Sequence, residues 1–205
     1  MKRGALFALV ALVALAGCSS GGPSRVVESG TAATVDGSTL DATGYEHTGT
    51  TEQTLNTTVG ASISGDVEMD ADRPVTATIP VAGYRTDTAD GTALFLVAAT
   101  PAVRPIENQP VVRDPLATLA PAARANFLQS TYTVESLTQG ENVTGQLLGN
   151  ETAARSYAGT ADGTPVTVRI ASVRDGSEFV TVVAVTPSPA ADAERFQQLV
   201  AGVTH

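Results

Sequence analysis

The residue with the most specific chemistry in this chain is Cys18, the only cysteine. It follows Leu15-Ala16-Gly17 at the end of an apolar run that is shorter than the ~20 residues of a membrane-spanning helix. A basic start (Met1-Lys2-Arg3), a short apolar stretch and small residues before a cleavage point are typical of a secretory signal. Small residues ending on cysteine form the lipobox pattern, in which the thiol takes a diacylglyceryl group. We therefore predict a lipoprotein signal peptide over 1–17 and a lipid anchor on Cys18.

Alternating acidic residues form the best candidate for a metal site. They are Asp66, Glu68, Asp70 and Asp72. Alternate residues of a strand share one face, and carboxylate oxygens are ligands that calcium prefers. A twelve-residue calcium loop that begins at Asp66 needs glycine at its sixth position and glutamate at its twelfth, where this chain has Ala71 and Ala77. We predict a solvated strand face or turn and no bound metal, with these four acids as the candidates for calcium.

Catalytic chemistry has few candidate residues. His47 and His205 are the only histidines. A Ser/His/Asp triad would need His47, and Ser62, between Gly60 and Gly65, departs by one residue from the Gly-x-Ser-x-Gly elbow. Zinc lacks cysteine and histidine ligands, and no glycine-rich phosphate loop opens a helix. We predict no catalytic residue and no cofactor.

Three Asn-x-Thr sequons begin at Asn56, Asn142 and Asn150. In an exported protein such a triplet is an acceptor for an N-linked glycan, which requires a surface position. Because the chain is rich in threonine, such triplets also arise by chance. The sequence therefore gives three glycosylation candidates and leaves the use of each one open.

The charge of the chain excludes some classes of partner. There are 12 basic and 21 acidic residues, and loss of Lys2 and Arg3 with the signal takes the formal net charge from −9 to −11. This composition lacks the basic footprint of a nucleic-acid-binding protein. No basic cluster in the sequence can hold acidic lipids, so the predicted membrane contact is the lipid on Cys18. An acidic chain is typical of halophilic proteins, because concentrated salt screens the repulsion between acids.

The first half of the mature chain is predicted to be mainly strand. Residues 18–24 form a short lipidated tether, and a β half follows over 25–105. Alternation from Val75 to Val81 predicts a strand with one buried face, in which Pro80 marks an edge or a bulge. The nearly continuous apolar run from Ala93 to Thr100 predicts a strand that is covered on both faces.

The second half, 114–205, is predicted to combine helices and strands. Asp114-Pro115 predicts the start of an amphipathic helix that reaches Leu128, and Pro121 can divide it. Turns are predicted at Asp162-Gly163 and Asp175-Gly176.

Two more elements follow these turns. Phe179 to Thr186 predicts a strand that is apolar on both faces, and Asp192 to Val203 predicts a closing amphipathic helix. The predicted fold class is α+β, an antiparallel β-sheet flanked by two amphipathic helices. It forms one globular unit or two packed halves, 25–105 and 114–205.

Several short motifs resemble a known family. They are Thr43-Gly44-Tyr45-Glu46, Tyr84-Arg85, the Leu94 to Pro101 run, Asp114-Pro115-Leu116 and the paired C-terminal hairpins. Together with the lipobox they resemble a family of haloarchaeal lipoproteins that is catalogued as a domain of unknown function. The order of strand, turn, strand and helix in 114–205 also resembles the PsbP/Mog1-like sandwich. These resemblances imply an antiparallel sheet flanked by helices and a binding role, and they imply no catalytic residue.

These observations predict an archaeal, membrane-anchored lipoprotein on the extracytoplasmic face of the cell membrane. The leading hypothesis for its function is a non-catalytic protein-binding or assembly module that holds an unknown surface protein. The alternative is a lipoprotein that captures a small ligand or calcium. A hydrolase that uses His47 is the third hypothesis.

Overall fold

The structure is a computed structural model that describes residues 25–63 and 69–205. Within these residues nine strands form one sheet, and two short strands pair with each other separately. The nine are β1 Val26–Ser29, β3 Glu46–Ile63, β4 Met69–Thr88, β5 Gly91–Pro101, β6 Val134–Gln139, β7 Val143–Leu147, β8 Asn150–Ala161, β9 Thr164–Asp175 and β10 Glu178–Pro187. The separate pair is β2 Thr34–Val35 and β11 Val203–Thr204.

The sheet consists of two antiparallel groups that join along one pair of strands. β3, β4 and β5 are neighbours in chain order, as are β8, β9 and β10, and β5 pairs with β10. The pairing of β5 with β10 runs from Leu94 opposite Val185 to Pro101 opposite Glu178. β6 and β7 both pair with β8 on the side away from β9. β1 pairs with β4 in the parallel direction.

Among the described residues, three α-helices and one 3-10 helix cover the sheet. They are α1 Gly37–Thr43, the 3-10 helix Pro115–Thr118, α2 Pro121–Leu128 and α3 Ala193–Ala201. The side chains of Asp36, Asp114 and Asp192 accept backbone N–H bonds at the starts of α1, the 3-10 helix and α3, which satisfies donors left free in the first turn. α2 begins with Pro121. Proline lacks an N–H group, and at the first position of a helix an N–H would have no acceptor within the helix.

Each face of the sheet has its own apolar layer. The 3-10 helix and α2 cover one face, where Leu116 and Leu128 pack with side chains such as Val168. α1, α3 and β11 cover the other face, where Phe196 and Leu199 pack with inward side chains of β5 and β10. β5 and β10 lie in the middle and are buried on both sides, as their continuous apolar runs predict.

The predicted fold class is wrong. Strands hold 59% of the described residues and helices 16%, so the protein is sheet-dominated and is not an antiparallel α+β sheet flanked by two amphipathic helices. The sheet is mixed because β1 runs parallel to β4. The helix predicted from Asp114 to Leu128 is divided before Pro121, and α1 is additional to the two that were predicted. The strands assigned to two packed halves share one sheet through β5 and β10.

Pro80 is not on an edge strand. One side of β4 pairs with β3 along its length, and the other side pairs first with β1, up to Thr78, and then with β5, from Val81. Pro80 lies between these two partners, where no neighbour on that side needs its missing N–H. Gly30, just after β1, fits closely against the backbone carbonyl of Ala99 at this junction, where a side chain would overlap that oxygen.

Within 25–63 and 69–205, no helix has the length and apolar composition needed to cross a membrane. The predicted signal peptide, Cys18 and the tether lie outside the described residues.

Candidate functional site

An open cavity of about 650 Å³ lies between residues 117–124 and strands β8 and β9. We call it the arginine cavity. Its lining residues are Ala117, Thr118, Leu119, Ala120, Pro121, Arg124, Ala153, Arg155, Tyr157, Ile170 and Ser172. None of them carries a carboxylate.

The pleat of the sheet places the floor of this cavity. Arg155 and Tyr157 alternate along β8, so their side chains leave the same face. Ile170 is paired with Arg155 and lies on that face, and Ser172 is two residues further along β9. The floor therefore combines one guanidinium, one phenol, one hydroxyl and an apolar side chain.

Arg124 closes the cavity from above. It lies in the middle of α2, is half-buried, and donates from Nη2 to the carbonyl of Leu119 at 3.1 Å. Its Nε is buried and has no partner, and no carboxylate lies within ion-pair distance of it among the described residues. Burial lowers the pKa of Arg124, while the Asp114 charge and Tyr157 oppose that change. The guanidinium stays protonated, because arginine does not lose its proton in proteins.

A buried carboxylate lies behind Arg124 and outside the cavity lining. Asp114 Oδ1 accepts from Thr100 Oγ1 at 2.7 Å and from the Leu116 N–H at 2.8 Å, whereas Oδ2 is buried without a partner. Burial raises the pKa of Asp114, and the two hydrogen bonds act against that rise. The Asp114 carboxylate is close enough for its charge to raise the pKa of Arg124, but it is too far away to form an ion pair with that guanidinium.

The chemistry available in the cavity is binding of an anion. Two guanidinium groups, Arg124 and Arg155, line it together with the hydroxyls of Tyr157 and Ser172. Guanidinium donates in a fixed planar fork that matches carboxylate and phosphate oxygens. The lining contains no histidine, cysteine or carboxylate that could act as a general base.

A second arginine-lined hollow has the opposite charge balance. This terminal cleft, of about 440 Å³, is lined by Val26, Glu28, Ser29, Arg73, Pro101, Ala102, Val103, Arg104, Val112, Arg174, Ser177 and Glu178. One of its arginines has an acidic partner: Arg73 donates to the Arg104 carbonyl at 2.9 Å and to Glu107 Oε1 at 2.8 Å. The cleft thus carries both signs of charge.

Glu178 contacts residues near both ends of the described chain, Thr31 and His205, beside this cleft. Its Oε1 accepts from the N–H of Thr31 at 2.9 Å, and its Oε2 lies 2.6 Å from His205 Nε2, outside hydrogen-bond alignment. His205 Nδ1 is 2.9 Å from Asp175 Oδ2. These contacts hold the strand ends together, so we assign the terminal cleft a structural role.

A comparison with protein families gives one match, over residues 32–204, to the family described as Domain of unknown function (DUF6517). The chain belongs to this family. No curated protein and no solved structure matches it. The match confirms the domain of unknown function that the motifs indicated, and it extends neither to a haloarchaeal lipoprotein nor to the PsbP/Mog1-like sandwich.

The acidic candidates for calcium fall partly inside the described part of the DUF6517 domain. Asp70 and Asp72 alternate on β4, paired with Ser62 and Gly60 of β3, and both are exposed. Asp66 and Glu68 lie outside the described residues. Within 25–63 and 69–205, no group of three or more histidine, cysteine or acidic side chains could hold a metal ion.

The other predicted site residues of the DUF6517 domain are scattered over its surface. Asn56, Asn142 and Asn150 are all exposed. His47 is exposed and packs on the ring of Tyr84, with 5.1 Å between the ring centroids. No described acidic side chain bonds to His47, so it lacks the partner of a catalytic histidine.

Sequence reasoning missed both arginines of the cavity. Arg124 is the one charged residue of α2, on a helix otherwise made of alanine, proline, asparagine, phenylalanine and leucine. A single charge on a helix that packs against a sheet is a signal that could have singled out Arg124. Arg155 carries no such signal, because charged residues on exposed positions of a strand are common.

Proposed function

We propose that this protein is a membrane-anchored, non-catalytic binding protein on the extracytoplasmic face, and that it captures a small anionic ligand in the arginine cavity. The observation that carries the ligand assignment is the pair Arg124 and Arg155 on a cavity without a carboxylate. In an acidic protein two cations without a counterion attract an anion both by charge and by hydrogen bonding.

The size and lining of the cavity support a small molecule. Ligand sites are commonly 300–1,000 Å³ and contain a few convergent polar groups that orient the ligand. The cavity has about 650 Å³, and Leu119, Pro121 and Ile170 supply apolar surface between the polar groups. A carboxylate or phosphate attached to a small apolar body fits this combination.

The surface of the domain gives less support to a hydrophobic protein interface. Among the described residues Val27 is the one large hydrophobic side chain that is mostly exposed, at 70%. Stable interfaces between proteins usually contain a cluster of apolar and aromatic anchors. A single valine does not form such a cluster.

Anion binding is tested by thermal unfolding of the purified protein at constant ionic strength. The probes are citrate, inorganic phosphate and acetate, with glycerol as the neutral comparator. A ligand at 100 times its Kd raises the free energy of unfolding by about 2.7 kcal/mol. We expect at least one anion to raise the Tm of the native chain and not that of Arg124→Gln. An equal shift in both proteins, or no shift with any of the three anions, would refute the proposal.

The anchor is tested separately by one substitution. The Cys18→Ser protein should leave the membrane fraction and lack the mass of a diacylglyceryl group. If it stays in the membrane at unchanged mass, the lipobox assignment is wrong, whatever the cavity binds.

A second candidate function, a protein-binding or assembly module, is favoured by the open edge of β3. β3 pairs only with β4, so 18 residues of strand have one unpaired backbone edge among the described residues. Such an edge can accept an extended segment of another protein. A crosslinked pull-down from native membranes, with Cys18→Ser as comparator, should enrich one partner with the anchored form only. Recovery of no partner would count against this candidate.

A further inference from the structure

All three sequons lie near the borders of the sheet, one on β3 and two at the ends of β7. Asn56 is on β3, which pairs only with β4 at one border of the sheet. At the opposite border β7 pairs only with β8. Asn142 immediately precedes β7, and Asn150 is the first residue of β8, paired with Leu147 at the other end of β7. Sites separated by up to 94 positions in the sequence are thus confined to the two borders.

The side chain of Asn56 is held in an orientation that suits modification. Its Oδ1 accepts from Arg25 Nη1 at 3.1 Å and from Thr76 Oγ1 at 2.8 Å. These two bonds fix the amide, and the Nδ2 atom has no partner among the described residues. A glycan on Nδ2 would leave both bonds intact.

The second border presents its amides in a similar way. Asn150 Nδ2 donates one hydrogen to the Leu148 carbonyl at 3.1 Å, and an amide nitrogen has a second hydrogen. The Thr152 hydroxyl, the third residue of that sequon, bonds to the Asn150 carbonyl at 3.1 Å. Asn142 is exposed, and no described side chain or backbone group bonds to its amide.

Each border has only part of the usual protection against edge-to-edge pairing. β3 has a bulge between His47 and Gly49, and β7 is five residues long, with its Thr144 carbonyl bonded to Gln197 of α3. Natural edge strands carry lysine, proline or inward charges, because unpaired N–H and C=O groups otherwise accept another strand. β3 has no lysine, arginine or proline in 18 residues, and its acids are Glu46 and Glu52. β7 has no charged residue and no proline. The side chains of β3 and β7 therefore protect these edges only in part.

We infer that Asn56, Asn142 and Asn150 carry N-linked glycans and that these glycans cover both open edges of the sheet. In the transfer, Nδ2 forms a bond to the anomeric carbon of a glycan carried on a lipid phosphate. The bond from that carbon to the phosphate oxygen breaks, the lipid phosphate leaves with the electron pair, and one Nδ2 proton is lost. The inference rests on the extracytoplasmic location proposed above, where such a transfer takes place. A glycan on Asn56 also removes the β3 edge as a surface for a protein partner.

The first test is the intact mass and the peptide map of the protein purified from its own membranes. The expected result is a lipidated chain with glycan mass on the peptides that contain the three asparagines. A lipidated chain with all three asparagines bare would overturn the inference and leave the membrane proposal standing. An unprocessed chain without glycans would overturn both.

The second test separates the glycans from the fold. Thr58→Ala, Thr144→Ala and Thr152→Ala together destroy the sequons without touching the asparagines, while the three Thr→Ser changes preserve them. We expect the serine protein to keep its glycans and remain monomeric by light scattering. The alanine protein should lose them and associate, with an unchanged circular dichroism spectrum. A glycan-free alanine protein that stays monomeric would refute the shielding role.

Discussion

Two hollows among the described residues are each lined by at least two arginines, and they place this residue type in opposite electrostatic settings. In the terminal cleft, Glu28 and Glu178 share the lining with three arginines, and Arg73 is bonded to Glu107. In the arginine cavity, Arg124 and Arg155 share the lining with no carboxylate. The cleft lies where several strands end, whereas the cavity lies between α2 and two strands and is open to solvent.

The difference shows how a structural arginine can be told from a binding one. Taking a guanidinium out of water costs free energy that an ion pair can offset, and Arg124 has no such pair. A half-buried guanidinium without an ion pair lowers the stability of the fold. Such a loss is expected where the residue serves binding, because stability and function often compete at binding sites. Both hollows are lined by arginine, and they differ in whether carboxylates share the lining.

The sharpest way to break this comparison is Arg124→Met. Methionine fills much of the same space without a charge, so we expect the free energy of unfolding to stay equal or rise. We expect anion affinity to fall about 10- to 100-fold, since a hydrogen bond to a charged group contributes about 1.5–3 kcal/mol. Calorimetric titration with the anion that shifts the Tm, together with urea unfolding, measures both quantities.

Arg104→Met in the terminal cleft is the matched control. Arg104 lines a hollow that contains acids, so its loss should leave anion affinity within about twofold of the native value. If the two substitutions reduced anion affinity equally, the distinction between cavity and cleft would be wrong. If Arg124→Met destabilised the protein strongly, Arg124 would be a structural residue.

The cleft side of the comparison is tested by Gly30→Ala. A methyl group at Gly30 would overlap the Ala99 carbonyl, where the segment after β1 crosses to β5. Overpacking of this kind lowers the free energy of unfolding by about 1–3 kcal/mol. Because Val26, Glu28 and Ser29 line the cleft, the change should loosen that end and leave anion affinity unaltered. Urea unfolding and titration with the anion test the two effects.

Gly37→Ala supplies the control for the glycine change itself. Gly37 is the first residue of α1, and a methyl group there meets nothing within 4 Å. Alanine in a helix is favoured over glycine by up to about 1 kcal/mol, so this variant should be equally or more stable. Equal losses in both variants would show that the close approach at Gly30 is unimportant.

The local elements could largely be predicted from the sequence. The apolar runs of β5 and β10 indicated strands buried on both faces, and both lie at the centre of the sheet. Asp162-Gly163 indicated a turn, and both residues have positive φ between β8 and β9. Asp192 indicated the start of α3 and caps it. These features depend on residues that are close together in the sequence, so local composition and periodicity can predict them.

The pairing of distant segments could not be predicted in the same way. β1 is four residues long and runs parallel to β4, a contact that no local pattern encodes. α1 has seven residues, too few for a helical period to stand out. Arg124 and Arg155 meet only because β8 pairs with β9 beneath α2, so the cavity depends on tertiary register and was not predicted.

A smaller effect concerns Asp114, the one carboxylate that influences Arg124. Its pKa is raised by burial above the ordinary 3.8, so the folded state binds protons more tightly than the unfolded chain does. The free energy of unfolding should therefore fall as pH rises from 3.8 through the raised value, and stay lower above it. Asp114→Asn removes this titration and should be more stable by about 1 kcal/mol at neutral pH. Urea unfolding from pH 3 to 8 measures the difference.

Asp36 gives the opposite sign and serves as the control. Hydrogen bonds from Ser38 and Thr39 lower the pKa of Asp36 from 3.8 to about 2. The stability that it contributes is present above 3.8 and is lost as pH falls through about 2. Asp36→Asn should therefore be less stable than the native chain above that window and approach it in acid. If the difference in stability from the native chain changed with pH in the same direction for Asp36→Asn and Asp114→Asn, the assignment of Asp114 as a buried acid would be wrong.

The smallest effect belongs to Glu107→Gln, which removes the acidic partner of Arg73 beside the terminal cleft. Glu107 is 76% exposed and Arg73 only 16%, so solvent and salt screen their 2.8 Å contact from one side. Exposed ion pairs contribute about 0.2–1 kcal/mol, and at 1 M salt the screening length is only about 3 Å. We expect a loss at the low end of that range in dilute salt and none in 1 M salt, by urea unfolding. Arg73→Gln should cost more under both conditions, because Arg73 also donates to the Arg104 carbonyl. If Glu107→Gln were as costly as Arg73→Gln, the charge pair would matter more in the cleft than the packing of Arg73 does.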